Sequence, residues 1–138
     1  MNILFLCVGN SARSQIAEGL ARQMFGDDHN IQSAGSDPTG FVHNEAILVM
    51  NHIGIDISNF ASKSIEDLDD NFINNLNFVI TLCAEEICPT LPIKTESLHW
   101  MQEDPAKTTY NSIESKLAFE KTRDDLFNLL KKFMIDNL

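Results

Sequence analysis

The chain has 138 residues, 43% of them hydrophobic, which suits one domain around one core. No apolar run approaches the roughly 20 residues that cross a bilayer, and MNILFLCVGN carries neither a basic leader nor a small-residue cleavage site, so a cytoplasmic protein with no membrane partner is expected. Twenty acidic against ten basic residues give a formal net charge of −10 without any basic cluster; nucleic acid is excluded as a partner, and an anion site must supply its own positive field.

Asn2–Val8 is an apolar run stopped by Gly9-Asn10, the pattern of a short buried strand. Ser14–Phe25 has helical spacing, with Ile16, Leu20 and Met24 on one face, and ends at Gly26-Asp27-Asp28. Asn30–Ala34 reads as a second strand, and Asp37-Pro38-Thr39-Gly40 as a turn. His43–His52 is a second helix, Ile55–Phe60 is irregular, and Ser64–Asn74 is a short helical segment with an acidic face at Glu66–Asp70. Leu76–Leu82 is the strongest strand, a continuous β-rich run; Cys83–Cys88 follows it and Pro89 ends it. Glu96–Trp100 is a fourth strand. A last helix starts near Asn111, where Asn111 and Glu114 have capping-box spacing, and its apolar positions include Ile113, Leu117, Leu126, Leu130, Phe133 and Met134.

Strands that alternate with helices imply a parallel sheet covered on both faces. The expected fold is a single α/β domain over residues 1–138, a three-layer sandwich with a four-stranded parallel sheet in the order 2-1-3-4. The first strand is then interior, and its C-terminal end is a topological switch point, where open α/β sheets bind ligands.

Cys7-Val8-Gly9-Asn10-Ser11-Ala12-Arg13-Ser14 occupies that point. A helix N-terminus offers unpaired N–H groups and the positive end of its dipole. A loop wrapping into it can aim several amides at one tetrahedral oxyanion. Gly9 suits a tight turn and Asn10 tolerates left-handed φ. Arg13 offers a planar fork for two oxygens. The same field favours a thiolate at Cys7, and Ser14 is placed to donate to its sulfur.

The cysteines are Cys7, Cys83 and Cys88, an odd number that argues against a secreted disulfide framework. Asp104 follows the fourth strand, precedes Pro105 and lies on a loop that can reach the switch point; Glu103 is its fallback. His29, His43, His52 and His99 have no metal-ligand spacing and read as surface or core-edge residues, and Trp100 as a packing residue.

The segment from Cys7 to Gly19 resembles the phosphate loop of the low-molecular-weight protein tyrosine phosphatase superfamily, and more closely its thioredoxin-coupled arsenate reductase branch. Ser33-Ala-Gly35, Ile57-Ser-Asn59, Val79-Ile-Thr-Leu-Cys83, Cys88-Pro89, His99-Trp100 and Asp104-Pro105-Ala106 extend the likeness along the chain, in order. The resemblance implies a relay. Cys7 attacks arsenate held by residues 8–14, and Asp104 protonates the departing oxygen. Cys83 attacks Cys7, arsenite leaves, and Cys88 then takes over the disulfide with Cys83, which a thioredoxin-like dithiol reduces. It implies no tightly bound cofactor, no obligatory metal and a monomer.

Three positions depart from that pattern. Cys83 and Cys88 are five apart where seven is usual. On a regular helix five steps rotate about 140° and rise about 7.5 Å, so the segment must loop out to bring the sulfurs together. Where some of these reductases hold potassium behind the loop, on positions matching Asn10, Glu18 and Ser33, this chain has Lys63 nearby, whose ammonium is the expected replacement or neighbour of a monovalent cation. Ala12 stands where many relatives have cysteine, outside the relay.

The competing expectations are a phosphatase acting on aryl phosphates through a Cys7 phosphoenzyme, and a non-catalytic oxyanion-binding redox sensor. The first needs neither later cysteine, and Ala106-Lys107 replaces the aromatic wall that phosphatase relatives carry after the Asp-Pro. The complete set of Cys7, Arg13 and Asp104 argues against the second.

Overall fold

The computed structural model describes residues 1–84, 89–91 and 94–138. Four strands, β1 (Asn2–Cys7), β2 (Asn30–Gly35), β3 (Phe78–Thr81) and β4 (Glu96–His99), form one sheet in the order β2-β1-β3-β4. Every pairing is parallel. The register sets Cys7 opposite Gly35 and Leu6 opposite Thr81, so β1 is interior and both its neighbours run alongside it to the loop.

Alternation along β1 explains the layers. Ile3 and Phe5 point to one face and join Ile16, Leu20, Ala46, Met50, Phe119, Leu126 and Leu130 in the larger core. Those partners come from α1 (Arg13–Phe25), α2 (Asn44–Asn51) and α4 (Ser112–Asn137). Leu4 and Leu6 point the other way, onto Leu68 and Phe72, which lie in and before α3 (Asp70–Asn74). A sheet whose two faces are both covered keeps its strands apolar throughout, and β3 is buried at all four positions. No helix among the described residues is long and apolar enough to cross a membrane.

One expectation is corrected. Ser64–Asn74 is not one helix: a 3-10 turn at Ile65–Asp67 is followed by extended Leu68 and then α3. Ser64 and Asp69 each accept an amide two residues on, and such local bonds start new elements rather than continue one. In α4 the buried stripe is Phe119, Thr122, Leu126, Leu130 and Phe133, while Ile113 and Leu117 are 70% and 59% exposed. The capping box at Asn111 and Glu114 is present, so the helix starts where its cap directs it, two turns before its core contacts begin.

The candidate active site

The loop from Cys7 to Ser14 leaves β1 and enters α1 at Arg13. Its left-handed residue is Asn10, with φ of 45°. Gly9 has no positive φ, and a Cβ there would meet only ordinary contacts. The glycine the loop depends on is Gly35, where a Cβ would lie 2.2 Å from the Val8 carbonyl oxygen.

The loop's carbonyls all turn outward. Val8 O accepts from Asp37 N, Gly9 O from Thr39 N, Ser11 O from His43 N and Ala12 O from Ile16 N, each at 2.9–3.0 Å. Asn10 O accepts from Gln15 Nε2 at 3.0 Å. Peptide planarity then turns the amides inward. Among the described residues, the N–H groups of Gly9, Ser11 and Ala12 have no protein acceptor. They sit at the N-terminus of α1, where the helix dipole adds positive potential.

The sulfur of Cys7 is buried and receives two donors. Asn10 N–H lies 3.3 Å from it and Ser14 Oγ 2.8 Å. The direction of the Ser14 bond follows from its neighbours. Asn10 Oδ1 accepts from Lys63 N at 2.9 Å, which orients the amide, so Asn10 Nδ2 donates to Ser14 Oγ at 2.8 Å and to Ser33 Oγ at 3.0 Å. The Ser14 proton is left for the sulfur. Ser33 passes its own proton to Glu18 Oε1 at 2.7 Å.

Glu18 is a buried carboxylate with two cationic partners: Arg22 Nη2 at 3.0 Å and Lys63 Nζ at 3.8 Å. Burial lowers the Lys63 pKa; Glu18 and Asp67 oppose that shift and Arg22 adds to it. Lys63 thus meets Glu18 through its ammonium and Asn10 through its backbone N–H.

A cavity of about 370 Å³ opens over the loop, lined by residues 7–13 together with Thr39, Phe41, His43, Asp104 and Ala106. Cys7, Arg13 and Asp104 share it. Asp104 is held at the N-terminus of its turn, accepting from Ala106 N at 2.9 Å. Arg13 is 6% exposed and donates through Nη1 to the Gln102 carbonyl at 3.1 Å, tying the Asp104 segment to the loop. Cys83 follows β3 on the neighbouring strand, with Leu82 N donating to Leu6 O at 3.0 Å. It is buried and disulfide-bonded, whereas Cys7 is free. Cys88 lies outside the described residues. Phe41 and His43 were not read from sequence as lining the cavity; the only available signal was their place in the connection that follows Gly35.

Residues 2–138 match the family model of the low molecular weight phosphotyrosine protein phosphatases. The chain belongs to that family. Within it, the chain is 42% identical to the arsenate reductase of Bacillus subtilis strain 168 over 133 residues, 95% of this chain and 93% of that protein. It is similar to a solved arsenate reductase in its phosphate-binding state, with 28% identity and a TM-score of 0.79 over 97% of this chain and 96% of that one. It is also similar to the thioredoxin-dependent arsenate reductase of Corynebacterium glutamicum, with 28% identity and a TM-score of 0.70 over 98% of this chain and 62% of that one.

Proposed function

We propose that this chain is an arsenate reductase that works through a cysteine relay with an external dithiol. The observation that carries the reading is the outward turn of every carbonyl from Val8 to Ala12, which leaves an amide-lined anion site directly over a sulfur already held by two donors. The 42% identical relative is named for that reaction.

The Cys7 thiolate attacks arsenic(V), and the departing oxygen leaves as water after taking a proton from Asp104. Arg13 exchanges the Gln102 carbonyl for oxyanion oxygens. The thiolate of reduced Cys83 then attacks Cys7 Sγ. The sulfur–arsenic bond breaks with its electron pair going to arsenic, so arsenite leaves and a Cys7–Cys83 disulfide forms. Cys88 attacks Cys83 Sγ, Cys7 departs as thiolate, and a thioredoxin-like dithiol reduces the remaining disulfide. The balance is one arsenate and two thiols giving arsenite, one disulfide and water. Lys63 and Arg22 together neutralise Glu18, and we assign Lys63 the place a monovalent cation would take behind the loop.

One observation favours a second reaction. Phe41 is 60% exposed on the wall of the same cavity and can flank an aryl group, which Ala106 cannot. Weak hydrolysis of aryl phosphates through a Cys7 phosphoenzyme is therefore included.

The test supplies arsenate, thioredoxin, thioredoxin reductase and NADPH, and follows NADPH oxidation. Wild type turns over repeatedly, and Cys7→Ser, Cys83→Ser and Cys88→Ser each stop multiple turnover. Only Cys7→Ser also abolishes p-nitrophenyl phosphate hydrolysis. Turnover that survives Cys83→Ser would overturn the relay; a wild type inert toward both substrates would overturn the enzyme.

A further inference from the structure

One side chain on the cavity wall has no part in the chemistry above. His43 abuts the loop, with its backbone N–H donating to Ser11 O at 2.9 Å. Its Nδ1 accepts from Glu45 N at 3.1 Å, which caps α2. Its ring packs on Phe119, with centroids 4.8 Å apart and planes at 34°. The cap fixes one edge of the ring and Phe119 one face, so its orientation is set from two sides. A ring nitrogen that accepts an amide proton carries none of its own, and the neutral ring therefore holds its proton on Nε2. Among the described residues, Nε2 has no hydrogen-bond partner. His43 lines the same cavity as Cys7, Arg13 and Asp104.

We propose that His43 Nε2–H donates to the bound oxyanion, on an oxygen that the loop amides leave facing the cavity. The inference rests on the oxyanion reading of this cavity and adds a specificity-determining residue to it. The amides and Arg13 serve the inward oxygens of a tetrahedral anion. An outward oxygen meets Asp104 and His43. An ionised Asp104 can only accept, so an unprotonated outward oxygen needs another donor, and the tautomer forced by the α2 cap supplies one.

Two variants separate the cap from the donor. His43→Asn keeps a side-chain oxygen suited to the N-cap and has no Nε2–H. His43→Gln reaches further and brings an amide N–H toward the Nε2 position, without a well-placed cap. Calorimetric titration of the full chain with inorganic phosphate should show phosphate binding weakened by about tenfold or more for His43→Asn, the loss expected for one hydrogen bond to an anion. Both variants lose the ring's packing on Phe119, but His43→Asn keeps the cap. His43→Gln should melt lower and bind phosphate more tightly than His43→Asn. In wild type, phosphate should move the imidazole Nε2 ¹⁵N resonance of His43 and leave those of His29, His52 and His99 in place. Wild-type affinity in His43→Asn, or an unmoved His43 resonance in phosphate-bound wild type, overturns the proposal and leaves the oxyanion site standing. A wild type that binds no phosphate overturns both.

Discussion

Asn10 links most of the site by itself. Its left-handed backbone reverses the loop, its N–H reaches Cys7, its Nδ2 orients Ser14, and its Oδ1 receives the Lys63 amide from a segment 53 residues away. The same segment carries the ammonium of Lys63 to Glu18. That charge is half-buried, and burial outweighs the attraction of Glu18, so Lys63 holds its proton less firmly folded than unfolded. Between the lowered folded value and the ordinary value of 10.5, the unfolded chain binds more protons, and stability from this group rises with pH. Lys63→Met removes that dependence. Urea unfolding at steps from about pH 8 to the ordinary lysine range should show wild type gaining on the variant as pH rises. A constant or shrinking advantage would mean that Glu18, and not burial, dominates at Lys63.

At the scale of elements, α4 shows what periodicity can and cannot decide. Leu117 and Leu126 are both apolar in the same helix, yet Leu126 is fully buried and Leu117 is 59% exposed. Leu126→Ala should cost about 2–5 kcal/mol of unfolding free energy, and Leu117→Ala less than about 0.5 kcal/mol beyond its small propensity change. Urea denaturation of the two variants checks the contrast; equal losses would move the core boundary two residues toward the N-terminus, from Phe119 to Leu117. The sequence shows that this helix is amphipathic and where its cap lies, because both signals are local. Where the sheet ends beneath it is a property of β1, β3 and their register, which no window of α4 contains. The same division holds at the site. The strand, loop and helix around Cys7 are contiguous and were legible. Of the five bonds that turn its carbonyls outward, two come from Gln15 and Ile16 on the adjoining helix, while three come from Asp37, Thr39 and His43, in the connection that follows Gly35, which the β1–β2 register sets beside Cys7. His43 lacked metal spacing and so read as an edge residue; its importance lies in which ring nitrogen the cap occupies.

The whole molecule opposes its own ligand. A net charge of −10 repels a dianion at long range, while the loop amides, the α1 dipole and Arg13 attract it only within a few ångströms. The two fields respond differently to salt. Screening over a Debye length of about 10 Å at 0.1 M weakens the repulsion of distant surface carboxylates and leaves buried contacts at the loop nearly intact. Sodium chloride added from roughly 10 to 200 mM should therefore raise kcat/KM for arsenate by about two- to threefold, with little change in kcat. Stopped-flow or steady-state rates at constant pH would read this, provided arsenate capture limits kcat/KM. A basic-rimmed anion enzyme should show the opposite slope, because salt would remove steering that helps it. If kcat/KM falls here as salt rises, the local positive field extends well beyond the loop and the scattered acidic surface does not govern approach.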